Sequence, residues 1–81
     1  MRIVISLFGP AATLAGVRDA ELELDEGSVA GLEAALAARF GPQLGALASR
    51  SRIARGEEVL ERDAKLVDGD RLALLPPVSG G

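Results

Sequence analysis

Neither cysteine nor histidine occurs anywhere in the 81 residues. A chain of this size buries only about 60% of its unfolded surface when it folds, and many small domains make up the shortfall with disulfides or a structural zinc. Those supports are not open to this one. Its core must come from aliphatic side chains in regular elements, and 48% hydrophobic residues supply them. The same two absences remove thiol nucleophiles and imidazole acid/base chemistry, leaving carboxylates, hydroxyls and chain ends as reactive groups. Nine basic residues against twelve acidic ones give a net charge of −3, which argues against a phosphate-backbone binder. Phe8 and Phe40 are the only aromatic residues, so a base-stacking platform is missing too.

The first sixteen residues, MRIVISLFGPAATLAG, bear some likeness to a signal peptide, with a basic residue, a short apolar run and small residues after it. The alternation of Ile3, Ile5 and Leu7 with Val4, Ser6 and Phe8 favours a β-strand instead, one whose removal would strip a small core. No apolar stretch approaches the ~18 residues of a membrane span. A cytoplasmic protein is the expectation, with neither nucleic acid nor membrane as partner.

Gly9-Pro10 ends the strand, and residues 11–15 offer a turn or two of helix capped by Gly16. In residues 20–24, Leu22 and Leu24 face one way and Glu21 and Glu23 the other, as in a half-buried strand. Asp25-Glu26-Gly27 makes a turn, and Ser28 is placed to cap a helix over residues 29–40 whose Val29, Leu32, Leu36 and Phe40 form one stripe. Gly41-Pro42 stops it; Leu44 and Leu47 sit in an Ala/Gly-rich connection with room for a short helical turn. Strands follow at 52–55, 59–60 and 71–75, separated by turns at Gly56-Glu57 and Asp68-Gly69-Asp70. The acidic turn reads as a turn rather than a metal site, and Arg50, Arg52 and Arg55 as a solvated strand face. Two strands, a helix crossing one face and further strands make an α+β, β-grasp (ubiquitin-like) plan. Its mixed sheet carries one main helix, with the first and last strands parallel at the centre. The domain takes residues 1–75, and residues 76–81 form an extended tail.

That tail reads differently from the rest. From Leu72 onward, LALLPPVSGG has no ionisable side chain. Pro76 and Pro77 cannot continue a ladder and favour polyproline geometry, so the segment should stand off the body, reaching roughly 20 Å when extended. Val78 and Ser79 lead to Gly80 and Gly81, which have no side chains and can thread a passage closed to other residues. The arrangement offers the Gly81 carboxylate on an uncharged leash, mobile when free and extended when bound. A carboxylate is a poor electrophile until converted to an acyl-adenylate, and the phosphate-loop pattern GxxxxGK[ST] is absent. The chain is therefore expected to be the substrate of a separate activating enzyme.

DGDRLALLPPVSGG, together with GEEV at 56–59 and the opening IVISLFG, resembles the MoaD/ThiS sulfur-carrier family of ubiquitin-like proteins, and within it the small subunits of molybdopterin synthase. The resemblance implies that Gly81 is adenylated by an E1-like enzyme using ATP and magnesium, then converted to a thiocarboxylate by a sulfur donor such as a cysteine desulfurase or rhodanese-like protein. It further implies that residues 76–81 enter the large subunit of molybdopterin synthase, in a heterotetramer of two small and two large subunits. There sulfur passes to a cyclic pyranopterin, building the molybdopterin dithiolene. On this view the chain binds no cofactor or metal of its own, and the catalytic side chains belong to the large subunit.

Alternation also predicts a partner surface. If Ile3, Ile5, Leu7, Leu72 and Leu74 meet the helix, Phe8 and Leu75 fall on the uncovered face, joined by Val59 or Leu60. Other functions compatible with the sequence are a carrier for thiamin, cysteine or tRNA thiolation, a protein modifier conjugated through Gly81, and a plain β-grasp binding module. Lys65, the only lysine, leaves one site for lysine-linked polymers.

Overall fold

The computed structural model describes residues 1–77. In chain order the elements are β1 (Arg2–Leu7), α1 (Pro10–Ala15), β2 (Asp19–Glu23), α2 (Val29–Phe40), α3 (Pro42–Ser49), β3 (Arg52–Arg55), β4 (Glu58–Leu60) and β5 (Arg71–Leu75). The strands form one sheet in the order β2-β1-β5-β3-β4. β1 and β5 run parallel at its centre, Ile5 beside Leu72 and Leu7 beside Leu74, while the other neighbouring pairs are antiparallel. This is the mixed sheet of a β-grasp fold.

The alternating apolar residues decide which face is buried. Ile3, Ile5 and Leu7 of β1, Leu22 of β2, Ile53 of β3 and Leu72 and Leu74 of β5 all enter one core with Val29, Leu32 and Leu36 of α2. Truncating any of the large ones to alanine would cost roughly 2–5 kcal/mol. Ser28 caps α2 in extended geometry, its Oγ accepting from the Gly31 N–H at 3.0 Å. Gly16 closes α1 at φ 78°, its N–H donating to the Ala12 carbonyl, a left-handed position that suits glycine.

α2, the longest helix, lies on this face with α1 and α3 beside it. The connection after Pro42 is α3, an eight-residue helix that buries Leu44, Leu47 and Ala48. Gly45 lets it lie close to α2, since a Cβ there would come 2.5 Å from that of Ala37. β2 begins at Asp19 and ends at Glu23, a residue ahead of the expected strand, although the Leu24 N–H still donates to the Met1 carbonyl.

The Asp68-Gly69-Asp70 turn locks β5 beside β1. Asp68 Oδ1 accepts from the Arg2 N–H at 2.7 Å, Gly69 N–H donates to the Arg2 carbonyl, and Val4 N–H donates to the Asp70 carbonyl. Asp70 Oδ2 accepts from the Val67 N–H and from Arg55 Nη1, the latter at 2.8 Å. Arg55 thus differs from the solvated arginine expected of it: it is half-buried and ties β3 to the start of β5. Among the described residues, no helix is long and apolar enough to cross a membrane.

Candidate docking face and tail root

The face of the sheet opposite the helices is organised in cross-strand rows. Asp19, Ser6, Ala73, Ala54 and Val59 lie across all five strands. Continuing the same register toward the end where β5 finishes puts Val17, Phe8, Leu75 and Arg52 in the next row, with the Leu7 N–H to Arg18 carbonyl bond holding it in line. In the other direction come Glu21, Val4 and Arg71, then Glu23 and Arg2. The two ends differ in chemistry. At the far end the guanidinium of Arg2 lies 3.3 Å from Glu21 and 3.9 Å from Glu23. At the end where β5 finishes, apolar side chains face solvent.

Phe8 is 49% exposed and Leu75 37%, and Val59 is as open as Phe8. Leu60 is not part of this surface. Its pairing with Ile53, while Val59 pairs with Ala54, turns it to the helix side, where it joins the core at 9% exposure. Consecutive strand residues point to opposite faces, so only one of Val59 and Leu60 could serve. One exposed residue that the sequence reading missed extends the patch: Val17, which continues the Phe8 row. The register signal for Val17 was present in the alternation of β2, but it needed the observed β1 pairing to be read.

A dimple of about 310 Å³ adjoins Phe8, lined by Ser6, Gly9, Ala12, Arg18 and Asp19; the Ser6 hydroxyl donates to Asp19 at its edge. Arg52 ends the row and Arg18 lines the dimple, and among the described residues neither forms an ion pair. An apolar row with cations at its two ends has the composition of a docking surface.

β5 delivers the chain to this patch. Leu74 sits between Leu7 and Ile53, and Leu75 beside Arg52, so the direction of exit is fixed by ladders on both sides. Pro76 is half-buried and Pro77 exposed; neither has an N–H to extend a ladder. The expected reacting segment, Val78, Ser79, Gly80 and Gly81, lies outside the described residues. What the structure places together is the root of that segment and the exposed Phe8, Leu75 and Val59.

Known proteins share this fold. The fold matches SAMP1 from Haloferax volcanii, a small archaeal modifier protein, with a TM-score of 0.82 at 26% identity over 100% of both chains. It matches a protein assigned as subunit 1 of a molybdopterin converting factor from Pyrococcus furiosus with a TM-score of 0.81 at 26% identity, covering 96% of this chain and 99% of that one. A structure of the complex of subunits 1 and 2 of the molybdopterin-converting factor from Helicobacter pylori matches with a TM-score of 0.66 at 27% identity over 100% of both chains. The ThiS family model matches residues 5–81, and with that coverage the chain belongs to the ThiS family, whose MoaD/ThiS members are ubiquitin-like sulfur carriers.

Proposed function

We propose that this chain is the small, sulfur-donating subunit of a molybdopterin synthase, with Gly81 as the reacting residue. The observation that carries this reading is the exposed Phe8–Leu75 row at the root of an uncharged Pro-Pro-Val-Ser-Gly-Gly segment. A two-subunit assembly is recorded for the Helicobacter pylori relative, and an apolar patch beside the root lets one partner grip the body while receiving the tail. In the proposed sequence the Gly81 carboxylate attacks ATP on an E1-like enzyme, releasing pyrophosphate and leaving an acyl-adenylate. Sulfide then displaces AMP, giving a thiocarboxylate. Where the donor carries its sulfur as a persulfide, the persulfide displaces AMP and a thiol cleaves the resulting acyl disulfide, releasing the thiocarboxylate and leaving as a disulfide with the donor. The sulfur passes to a cyclic pyranopterin in the large subunit, and water restores the carboxylate. ATP and magnesium belong to the activating enzyme. Gly80 and Gly81 keep the reacting end slender, and the absence of charge from Leu72 onward lowers the cost of entering each channel.

The test is reconstitution with E1-like enzyme, ATP, a sulfur source and a synthase large subunit, followed by intact-mass measurement. A species heavier by the difference between one sulfur and one oxygen, confined to the C-terminal fragment, together with pyranopterin dithiolene formation, supports the reading. Absence of that species sinks it. The similarity to SAMP1 favours a second reading, a modifier joined through Gly81 to lysines of other proteins. Conjugates formed in the same mixture without any dithiolene would select it.

A further inference from the structure

The β2 edge of the sheet, two strands from the tail root on β5, carries a second groove. Pairing with β1 sets Leu22 opposite Ile3 and Ala20 opposite Ile5, with the flanking bonds made by Leu24 N–H and by Leu7 N–H. Ladder bonds use alternate residues, so Ala20 and Leu22 direct their main-chain groups to β1, and Asp19, Glu21 and Glu23 direct theirs off the sheet. Among the described residues these outward groups meet a single partner, Arg39 Nη1, which donates to the Glu21 carbonyl at 3.5 Å. That arginine is exposed and is also drawn over the Phe40 ring at 5.2 Å, so it can swing away.

Alongside the open edge, α2 presents Gly31, Ala34, Ala35 and Ala38. These residues are too small to reach β2, and a trough of about 580 Å³ remains between helix and strand. Its rim carries Glu23, Asp25 and Glu26 at one end and Arg39 at the other. On the sheet face of the same edge, Asp19, Glu21 and Glu23 put three carboxylates at alternate positions.

We infer that this edge binds an extended polypeptide segment of a partner, added as a sixth strand to β2, with apolar and basic residues in alternation. Main-chain groups of Glu21 and Glu23 supply the pairing. Every second side chain of the added strand lies over Ala34, Ala35 and Ala38. The intervening lysines or arginines meet Asp19 and Glu21 first, since Glu23 is already paired with the N-terminal ammonium at 3.3 Å and shares Arg2 with Glu21. Five residues, about 17 Å, span the edge. Charge selects against a second copy of this chain. Its own β2 carries the same acidic row, and its other edge strand, β4, has Glu58 with Glu57 and Glu61 beside it. This site is separate from the tail chemistry, on the opposite edge from β4 and away from Leu75.

The probe is a capped heptapeptide of alternating lysine and valine or isoleucine, titrated into the isotope-labelled full chain and followed by NMR. Binding should shift the amides of Glu21, Glu23, Ala34 and Ala38 and slow exchange of the Glu21 and Glu23 amides. The same peptide with glutamate for lysine should leave them unmoved. Ala34→Phe, which fills the trough from an exposed helix position, should weaken binding by about tenfold or more with the folded spectrum retained. No shift at millimolar peptide, equal binding of the glutamate peptide, unchanged affinity of Ala34→Phe, or shifts confined to Phe8 and Leu75 would overturn the assignment.

Discussion

Phe8→Ala isolates the contribution of the docking face. A phenylalanine carries roughly 200 Å² of surface, so a residue 49% exposed leaves about 100 Å² for a partner to cover. At ~25 cal/mol per Å² that is about 2.5 kcal/mol, and since alanine keeps the Cβ the expected loss is about 2 kcal/mol, roughly thirtyfold in Kd. Phe8→Asp should lose more, because a carboxylate would then be desolvated in the contact. The assay is isothermal titration of each variant into purified synthase large subunit, with thermal melts as a control for folding. Phe8 lies just beyond β1 and outside the core cluster, so both variants should fold. A Kd within twofold of the parent for Phe8→Asp would refute the assignment of this face, whatever the tail does.

The remaining tests separate tail, packing and turn. Deleting Gly81, adding one residue after it, or Gly80→Val should abolish sulfur transfer in the reconstituted system while leaving the melting temperature within a degree or so; transfer by any of the three would count against Gly81 as the reacting residue. Gly45→Val should destabilise the fold by about 1–3 kcal/mol in urea titrations, because its Cβ would come 2.5 Å from that of Ala37 and push α3 off α2. Asp70→Ala should cost about 1–2 kcal/mol, since it removes the acceptor of the Val67 N–H and the 2.8 Å ion pair of Arg55, which keeps only Glu58 at 3.7 Å and the Lys65 carbonyl. A loss no larger than for an exposed carboxylate such as Glu57 would show that the turn does not hold the β1–β5 register.

Much of the fold could be read from local patterns. Alternation at Ile3, Ile5 and Leu7, the Gly-Pro stops and the Ser28 cap each depend on neighbours within a few residues, and each matches the structure. The misreadings involve distant partners. The connection around Leu44 and Leu47 reads only as a short helical turn, because Gly45 weakens the helical signal over Pro42–Ser49 and the reason for glycine there is Ala37 on another helix. Arg55 passed for a solvated cation because Asp70 is fifteen residues away. Leu60 was placed beside Val59 as an interface residue because which of two adjacent strand residues faces out depends on the register with β3. For the candidate site, alternation puts Phe8 and Leu75 on the uncovered face, where the structure has them exposed, while Val78 to Gly81 lie outside the described residues. Val17 depends on the pairing of β1 with β2.

The central position of β5 also has a mechanical consequence. A partner that draws the chain beyond Pro77 into a channel pulls along the axis of a strand bonded on one side to β1 and on the other to β3. Force applied that way loads the hydrogen bonds of both ladders together, in shear, whereas an edge strand pulled sideways would release them one at a time. A pull on the chain beyond Leu75 would therefore not unravel the body from that end. Detachment of the strand requires Leu72 and Leu74 to leave the core in the same event, so β5 is a stiff point of attachment.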